Sequence, residues 1–195
     1  MEKIRTFIAI ELSEEVKEGL AELQEKLKAE AQQGIVRWVR PEGIHLTLKF
    51  LGNIPSNMLD RIKKALTEAC EDFSSFSFSV RGLGCFPSKK RPRVIWVGVE
   101  EKTGTLLRLQ EAIEEKLALL GFPPEKREFS PHLTLGRTHR RASGGEIRKL
   151  GELIESTNVG EVGEAVANSV SLMRSDLKPA GAVYTRLAEV KLRGE

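Results

Sequence analysis

The chain has 195 residues, with 31 Lys+Arg against 28 Asp+Glu and a formal net charge of +3. That length makes one domain or two intimately packed lobes, and 40% hydrophobic residues exclude a disordered chain. The charge excess is too small for indiscriminate nucleic-acid binding, though it leaves room for a local basic groove, and no apolar run approaches the ~18 residues of a membrane span.

Glu2-Lys3-Ile4-Arg5 leads directly into a strand-like run, so no signal peptide is expected. Cys70 and Cys85 form neither a metal-binding nor a disulfide pattern, which suits a reducing, cytoplasmic setting. Arg5–Leu12 reads as a buried strand. Ser13 is a candidate N-cap, with Glu14 and Glu15 at the positive end of a helix whose inner stripe is Val16, Leu20, Leu23, Leu27 and Ala31. Gln33-Gly34 ends that helix, Val36–Val39 is a short strand, and Pro41–Gly43 turns the chain into His-Leu-Thr-Leu at His45–Leu48.

Pro55 and Ser56 open a second helix carrying Leu59, Ile62, Leu66 and Ala69. Phe76–Val80 alternates as a strand. Gly82–Pro87 is expected to bend the chain into the basic loop Ser88–Arg93, before the strand Val94–Val99. Thr103 starts a third helix with Leu106, Leu109, Ile113, Leu117 and Leu120 inward, stopped by Gly121. A second His-Leu-Thr-Leu occupies His132–Leu135. Ser143 and Glu146 then fit a capping box for a fourth helix with Ile147, Leu150 and Ile154. Ala165–Leu172 and Val183–Leu192 close the chain as two strands around a loop at Arg174–Pro179. Strands alternating with four helices give an α+β layered fold.

The repeated tetrapeptide is the informative feature, because two of only three histidines sit in identical contexts. Strand alternation puts His45 and Thr47 on one face and Leu46, Leu48 and Phe50 on the other, and His132 and Thr134 repeat the arrangement. Four polar side chains opposite the leucines make poor core packing unless they converge on a ligand. Zinc would want three or four ligands, and no Asp, Glu or Cys lies within either motif. Neither cysteine has a nucleophile motif around it. Two imidazoles with ordinary pKa near ~6.5 do suit concerted acid–base chemistry at phosphorus, one starting protonated and one neutral. The threonine hydroxyls can donate to non-bridging phosphoryl oxygens as charge builds there. No metal or cofactor is called for. The alternative is a nucleotide or RNA-end binding module without turnover.

The paired His-x-Thr-x motifs, with Phe50-Leu51-Gly52 after the first and Ser130-Pro131 before the second, resemble the two-histidine phosphoesterases. Arg5–Ile10, Gly84-Cys-Phe-Pro87 and Pro92–Trp96 are similar to the RNA 2′,3′-cyclic phosphodiesterase, or 2′-5′ RNA ligase, branch of that superfamily. The resemblance runs from residue 5 to about residue 190, so that residues 1–195 make one bilobal domain. It implies two pseudo-symmetric lobes, with antiparallel-rich sheets flanked by helices and a central groove between the two motif strands. It further implies that His45 is the proton donor and His132 the proton acceptor. The substrates implied are RNA ends with 2′,3′-cyclic phosphate, opened to a 2′-phosphomonoester, with tRNA halves and nucleotides as partners of a reverse ligation. A monomer is expected.

Lys49 follows Thr47 on the same face under strict alternation and is a candidate phosphate contact. Arg137 stands where the family often carries an arginine, but alternation puts it on the leucine face unless the strand bulges or ends by Gly136. Arg93 and Lys89–Arg91 are candidates to steer RNA, and Phe86 and Tyr184 to stack a base. Trp96 reads as core, and His139 as surface.

Overall fold

The computed structural model describes residues 2–194. In chain order the elements are β1 (Lys3–Glu11), α1 (Glu14–Glu30), β2 (Val36–Trp38), β3 (His45–Pro55), α2 (Leu59–Cys70), β4 (Phe76–Phe86) and β5 (Val94–Glu100). There follow α3 (Thr105–Ala118), β6 (His132–Thr138), α4 (Gly144–Ser156), β7 (Glu161–Ala167), β8 (Ser169–Lys178) and β9 (Gly181–Lys191). The helix starts follow local chemistry. Ser13 Oγ accepts from the Val16 N–H at 3.4 Å, and Ser143 with Glu146 forms the expected reciprocal capping box. Helix α3 begins two residues later than Thr103, because Gly104 takes a left-handed φ of 76°. The Glu101 carboxylate accepts from the N–H groups of Thr103 and Leu106 there, satisfying donors that the helix leaves open.

The strands form one antiparallel sheet in the order β7-β4-β5-β6-β3-β1-β8-β9, with β2 added on β6. The order divides at its centre into two halves of four strands each. Strands β6, β5, β4 and β7 make one half, and β3, β1, β8 and β9 make the other, so the two expected lobes are halves of a continuous sheet. The halves meet at β3 and β6, where the ladder has a single pair, Leu46 with Leu133.

One face of the sheet is covered by helices. Leu46, Leu48, Leu133 and Leu135 are buried there among Leu20, Leu23 and Leu27 of α1, Ile62 and Leu66 of α2, and Leu109 and Ile113 of α3. Burying each such side chain contributes roughly 1.5–3 kcal/mol, so the leucines of the repeat anchor both motif strands to the core. A smaller cluster of Ile35, Val36, Cys85, Ile95, Leu150 and Ile154 seats α4. The opposite face carries the histidines.

Three expectations are corrected. Ala165–Leu172 is two strands: β7 pairs with β4 in one half, β8 pairs with β1 in the other, and Asn168 lies between them. Continuous apolar patterning cannot show a change of partner strand. The Arg174–Pro179 stretch is not a loop, since β8 runs to Lys178 and pairs with β9 along a polar hairpin. Gly82 does not bend the chain away; with φ 74° it forms a bulge inside β4, which continues to Phe86.

Candidate active site

Antiparallel pairing of Leu46 with Leu133 sets His45 across from Thr134, and Thr47 across from His132, on the face away from the helices. The four side chains therefore alternate His, Thr, His, Thr around a patch two strands wide. All four are half-buried. Each imidazole is held in the same way. His45 Nδ1 lies 2.8 Å from the Gly43 carbonyl, and His132 Nδ1 lies 2.7 Å from the Ser130 carbonyl, each two residues back. A carbonyl only accepts, so Nδ1 carries the hydrogen in both rings. Nε2 is then the free lone pair in the neutral form and the second N–H in the charged one.

Immediately after each Thr the strand bulges. On β3 the register passes from Thr47 opposite Ala9 to Lys49 opposite Ile8, leaving Leu48 as the extra residue. On β6 it passes from Thr134 opposite Trp96 to Gly136 opposite Ile95, leaving Leu135 extra. One extra residue reverses every later side chain. Lys49 thus turns to the helix side, where it is buried and ion-paired with Glu114 of α3, and its Nζ donates to the Pro123 carbonyl at 2.9 Å. The expectation that it shares a face with His45 and Thr47 is corrected. Arg137 turns the other way, opposite Val94, and is exposed on the face of His132 and Thr134. The bulge that its candidacy required is present. In the first half the equivalent position is Phe50, opposite Phe7 and 65% exposed.

Two buried glutamines hold the bulges. Gln24 Nε2 of α1 donates to the Leu135 carbonyl at 2.9 Å, and Gln110 Nε2 of α3 donates to the Leu48 carbonyl at 3.4 Å. Their signal in the sequence was a polar residue inside each helix's apolar stripe, beside Leu23 and beside Leu109 respectively.

The walls are aromatic. Phe7 stacks on His45 with ring centroids 4.5 Å apart, and Tyr184 of β9 meets the same imidazole edge-on at 5.0 Å. Phe86 meets His132 edge-on at 4.9 Å, and Trp96 lies 6.3 Å from it. Trp96 is thus a half-buried part of the groove wall, not core. Its ring covers Gly84, where any Cβ would overlap it. Lys89 pairs with Glu155, and its carbonyl abuts Gly151 of α4, so the basic loop is docked on that helix. His139 is at the surface.

Burial pushes His45 down to about 4, opposed by its hydrogen bond to Gly43 and by the charge of Glu11. His132 is lowered too, by burial first and by the charge of Arg137, against its bond to Ser130. Both rings are accordingly neutral in the empty groove at neutral pH. Among the described residues no group of three His, Cys, Asp or Glu side chains is placed to hold a metal ion. Both cysteines are buried and free, and among the described residues no helix is long and apolar enough to cross a membrane.

The internal symmetry has a counterpart in known proteins. The family described as LigT like Phosphoesterase matches this chain twice, over residues 10–96 and 97–184, with one His-x-Thr motif in each copy. An RNA 2′,3′-cyclic phosphodiesterase of Methanothermobacter thermautotrophicus is 38% identical over 97% of this chain and 100% of its own length. A Thermotoga maritima protein of the same name is 37% identical over 98% and 97%. A crystal structure of a Thermus thermophilus protein superposes with a TM-score of 0.81 at 31% identity, covering 98% of this chain and all of that one. Escherichia coli LigT, crystallised with 3′-AMP, shares the fold at a TM-score of 0.77 and 22% identity, over 98% and 99% of the two chains. With two matched copies spanning nearly its whole length, this chain belongs to the LigT-like phosphoesterase family.

Proposed function

We propose that the protein hydrolyses the 2′,3′-cyclic phosphate at the end of an RNA to a 2′-phosphomonoester, by acid–base catalysis between His45 and His132. The observation that carries this reading is the pair of imidazoles facing one groove, each with Nδ1 tied to a carbonyl and Nε2 free. In-line displacement needs a base on one side of phosphorus and an acid on the other. His132 Nε2 takes a proton from water as its oxygen bonds to phosphorus. His45 Nε2–H gives a proton to O3′ as the P–O3′ bond breaks. Thr47 and Thr134 donate to the non-bridging oxygens, and Arg137 balances their growing charge.

The identical tetrapeptides do not distinguish acid from base; the neighbouring charges support the assignment, although burial, the largest effect, still lowers His45 to about 4 in the empty groove. Glu11, across the ladder from His45, favours the imidazolium there, and Arg137 near His132 disfavours it. The names of the full-length relatives support the substrate class. By microscopic reversibility the same groups could join a 5′-hydroxyl to a cyclic end, giving a 2′-5′ linkage between tRNA halves, with water favouring hydrolysis. The test is incubation with an oligonucleotide ending in 2′,3′-cyclic phosphate, in chelator. We expect a 2′-phosphate product and a loss of about 10²–10⁴-fold for His45→Ala and for His132→Ala. Full activity in either variant excludes the reading.

A further inference from the structure

Arg37 of β2 and Arg137 of β6 are direct partners on the β2–β6 ladder, so their side chains leave the sheet side by side on the groove face. Like charges directly opposite one another destabilise a sheet. Both arginines are exposed, and among the described residues neither they nor Arg5 of β1 enters an ion pair. The charges of all three act on one ring. Burial raises the Tyr184 phenol, and the positive charges of Arg137, Arg5 and Arg37 oppose that rise. Tyr184 in turn meets His45 edge-on, so this basic corner adjoins the reacting centre. Arg137 is the next groove-facing side chain after Thr134, roughly 7 Å farther along the strand. The opposed, unpaired Arg37–Arg137 pair is a local charge excess that a second anion beside the first would relieve.

We propose that Arg37, with Arg137, Arg5 and Tyr184, binds the phosphate on the 5′ side of the terminal nucleoside, and so selects a polynucleotide end over an isolated nucleoside cyclic phosphate. The inference rests on the proposed hydrolysis of cyclic ends. Arg–phosphate pairing is bidentate and charge-assisted, and the anion relieves the repulsion between the opposed arginines. No bond is made or broken at this site; its effect is on KM.

The experiment compares adenosine 2′,3′-cyclic phosphate with the same compound carrying a 5′-phosphate. The wild-type protein is expected to show a KM about tenfold lower for the 5′-phosphorylated compound, with kcat little changed. Arg37→Gln removes that preference and leaves turnover of the unphosphorylated compound unchanged, and Arg37→Lys keeps part of it. Because Arg37→Gln removes a like-charge pair, thermal stability is not lowered, which separates this role from a structural one. Equal KM for the two compounds in the wild type, or an undiminished preference in Arg37→Gln, overturns the inference while leaving the hydrolase reading intact. Failure to turn over either compound overturns the inference, while the hydrolase reading falls only if the oligonucleotide ending in 2′,3′-cyclic phosphate is not hydrolysed either.

Discussion

Glu11 stands directly opposite His45 on the β1–β3 ladder, whereas the residue opposite His132 on the β5–β6 ladder is Gly98. The Glu11 carboxylate is fixed by Ser171 Oγ at 2.8 Å and Arg186 Nε at 2.9 Å. Together with Arg137, whose counterpart in the first half is Phe50, Glu11 makes the two half-sites differ in charge. Glu11→Gln keeps the shape and removes the charge, so His45 holds its proton less tightly. We expect the alkaline limb of the kcat profile to move to lower pH, with about a tenfold fall in kcat for each pKa unit lost. A change in stability alone, with the limb unmoved, would mean that Glu11 only braces β8 and β9.

The buried Lys49–Glu114 pair belongs to the core, so its removal should affect folding and not the chemistry. Lys49→Met strands an uncompensated carboxylate and is expected to cost ~3–5 kcal/mol in denaturant unfolding. The folded fraction should keep nearly wild-type kcat/KM. A selective loss of kcat/KM at unchanged stability would return Lys49 to the substrate.

The bulge after Thr134 aims Arg137 at the groove, and Gln24 holds that bulge from α1. Gln24→Leu removes a donor to buried carbonyls, since the same amide also reaches the Val39 carbonyl at 2.8 Å. A stability loss of about 1–3 kcal/mol is expected. Binding of inorganic phosphate, measured by calorimetry on the folded variant, should weaken as Arg137 is released. Gln110→Leu should cost stability to a similar degree, yet leave phosphate binding closer to wild type, because the side chain behind its bulge is Phe50.

The depressed histidines make two pH predictions. The unfolded chain takes up protons near the ordinary ~6.5, but folded His45 does so only near 4, so the unfolded state binds more protons between those values. The stability contributed by burying neutral His45 is complete above about pH 6.5 and is lost as pH falls toward 4. Thermal melts should show that slope, and His45→Gln should flatten it. In catalysis a bound phosphate anion favours both imidazolium forms. The kcat profile should therefore lie at higher pH than the kcat/KM profile, which reports the empty groove. Superimposable profiles would contradict the burial effect.

Much of the site was legible because the His-Leu-Thr-Leu repeat writes its two faces in plain alternation. Its leucines meet the helices and its histidines share the groove, as the period of two requires. The fate of Lys49 and Arg137 was not legible. One extra residue at Leu48 and one at Leu135 reverse the period, and each bulge carbonyl takes its hydrogen bond from a helix distant in sequence. Glu11 and Arg37 were invisible for a related reason. Their importance comes from cross-strand register, with His45 and with Arg137, and register between non-adjacent segments leaves no local mark. The change of sheet half at Asn168 was hidden likewise inside an unbroken run of strand-forming residues.

The division of labour between His45 and His132 is tested most directly with a cyclic substrate whose O3′ bridging atom is replaced by sulfur. A thiolate leaves without needing a proton, so the account predicts that His45→Ala turns over this substrate at close to the wild-type rate, while His132→Ala remains inactive on it. Rescue of His132→Ala in place of His45→Ala, or of neither variant, would contradict the assignment of His45 as acid and His132 as base.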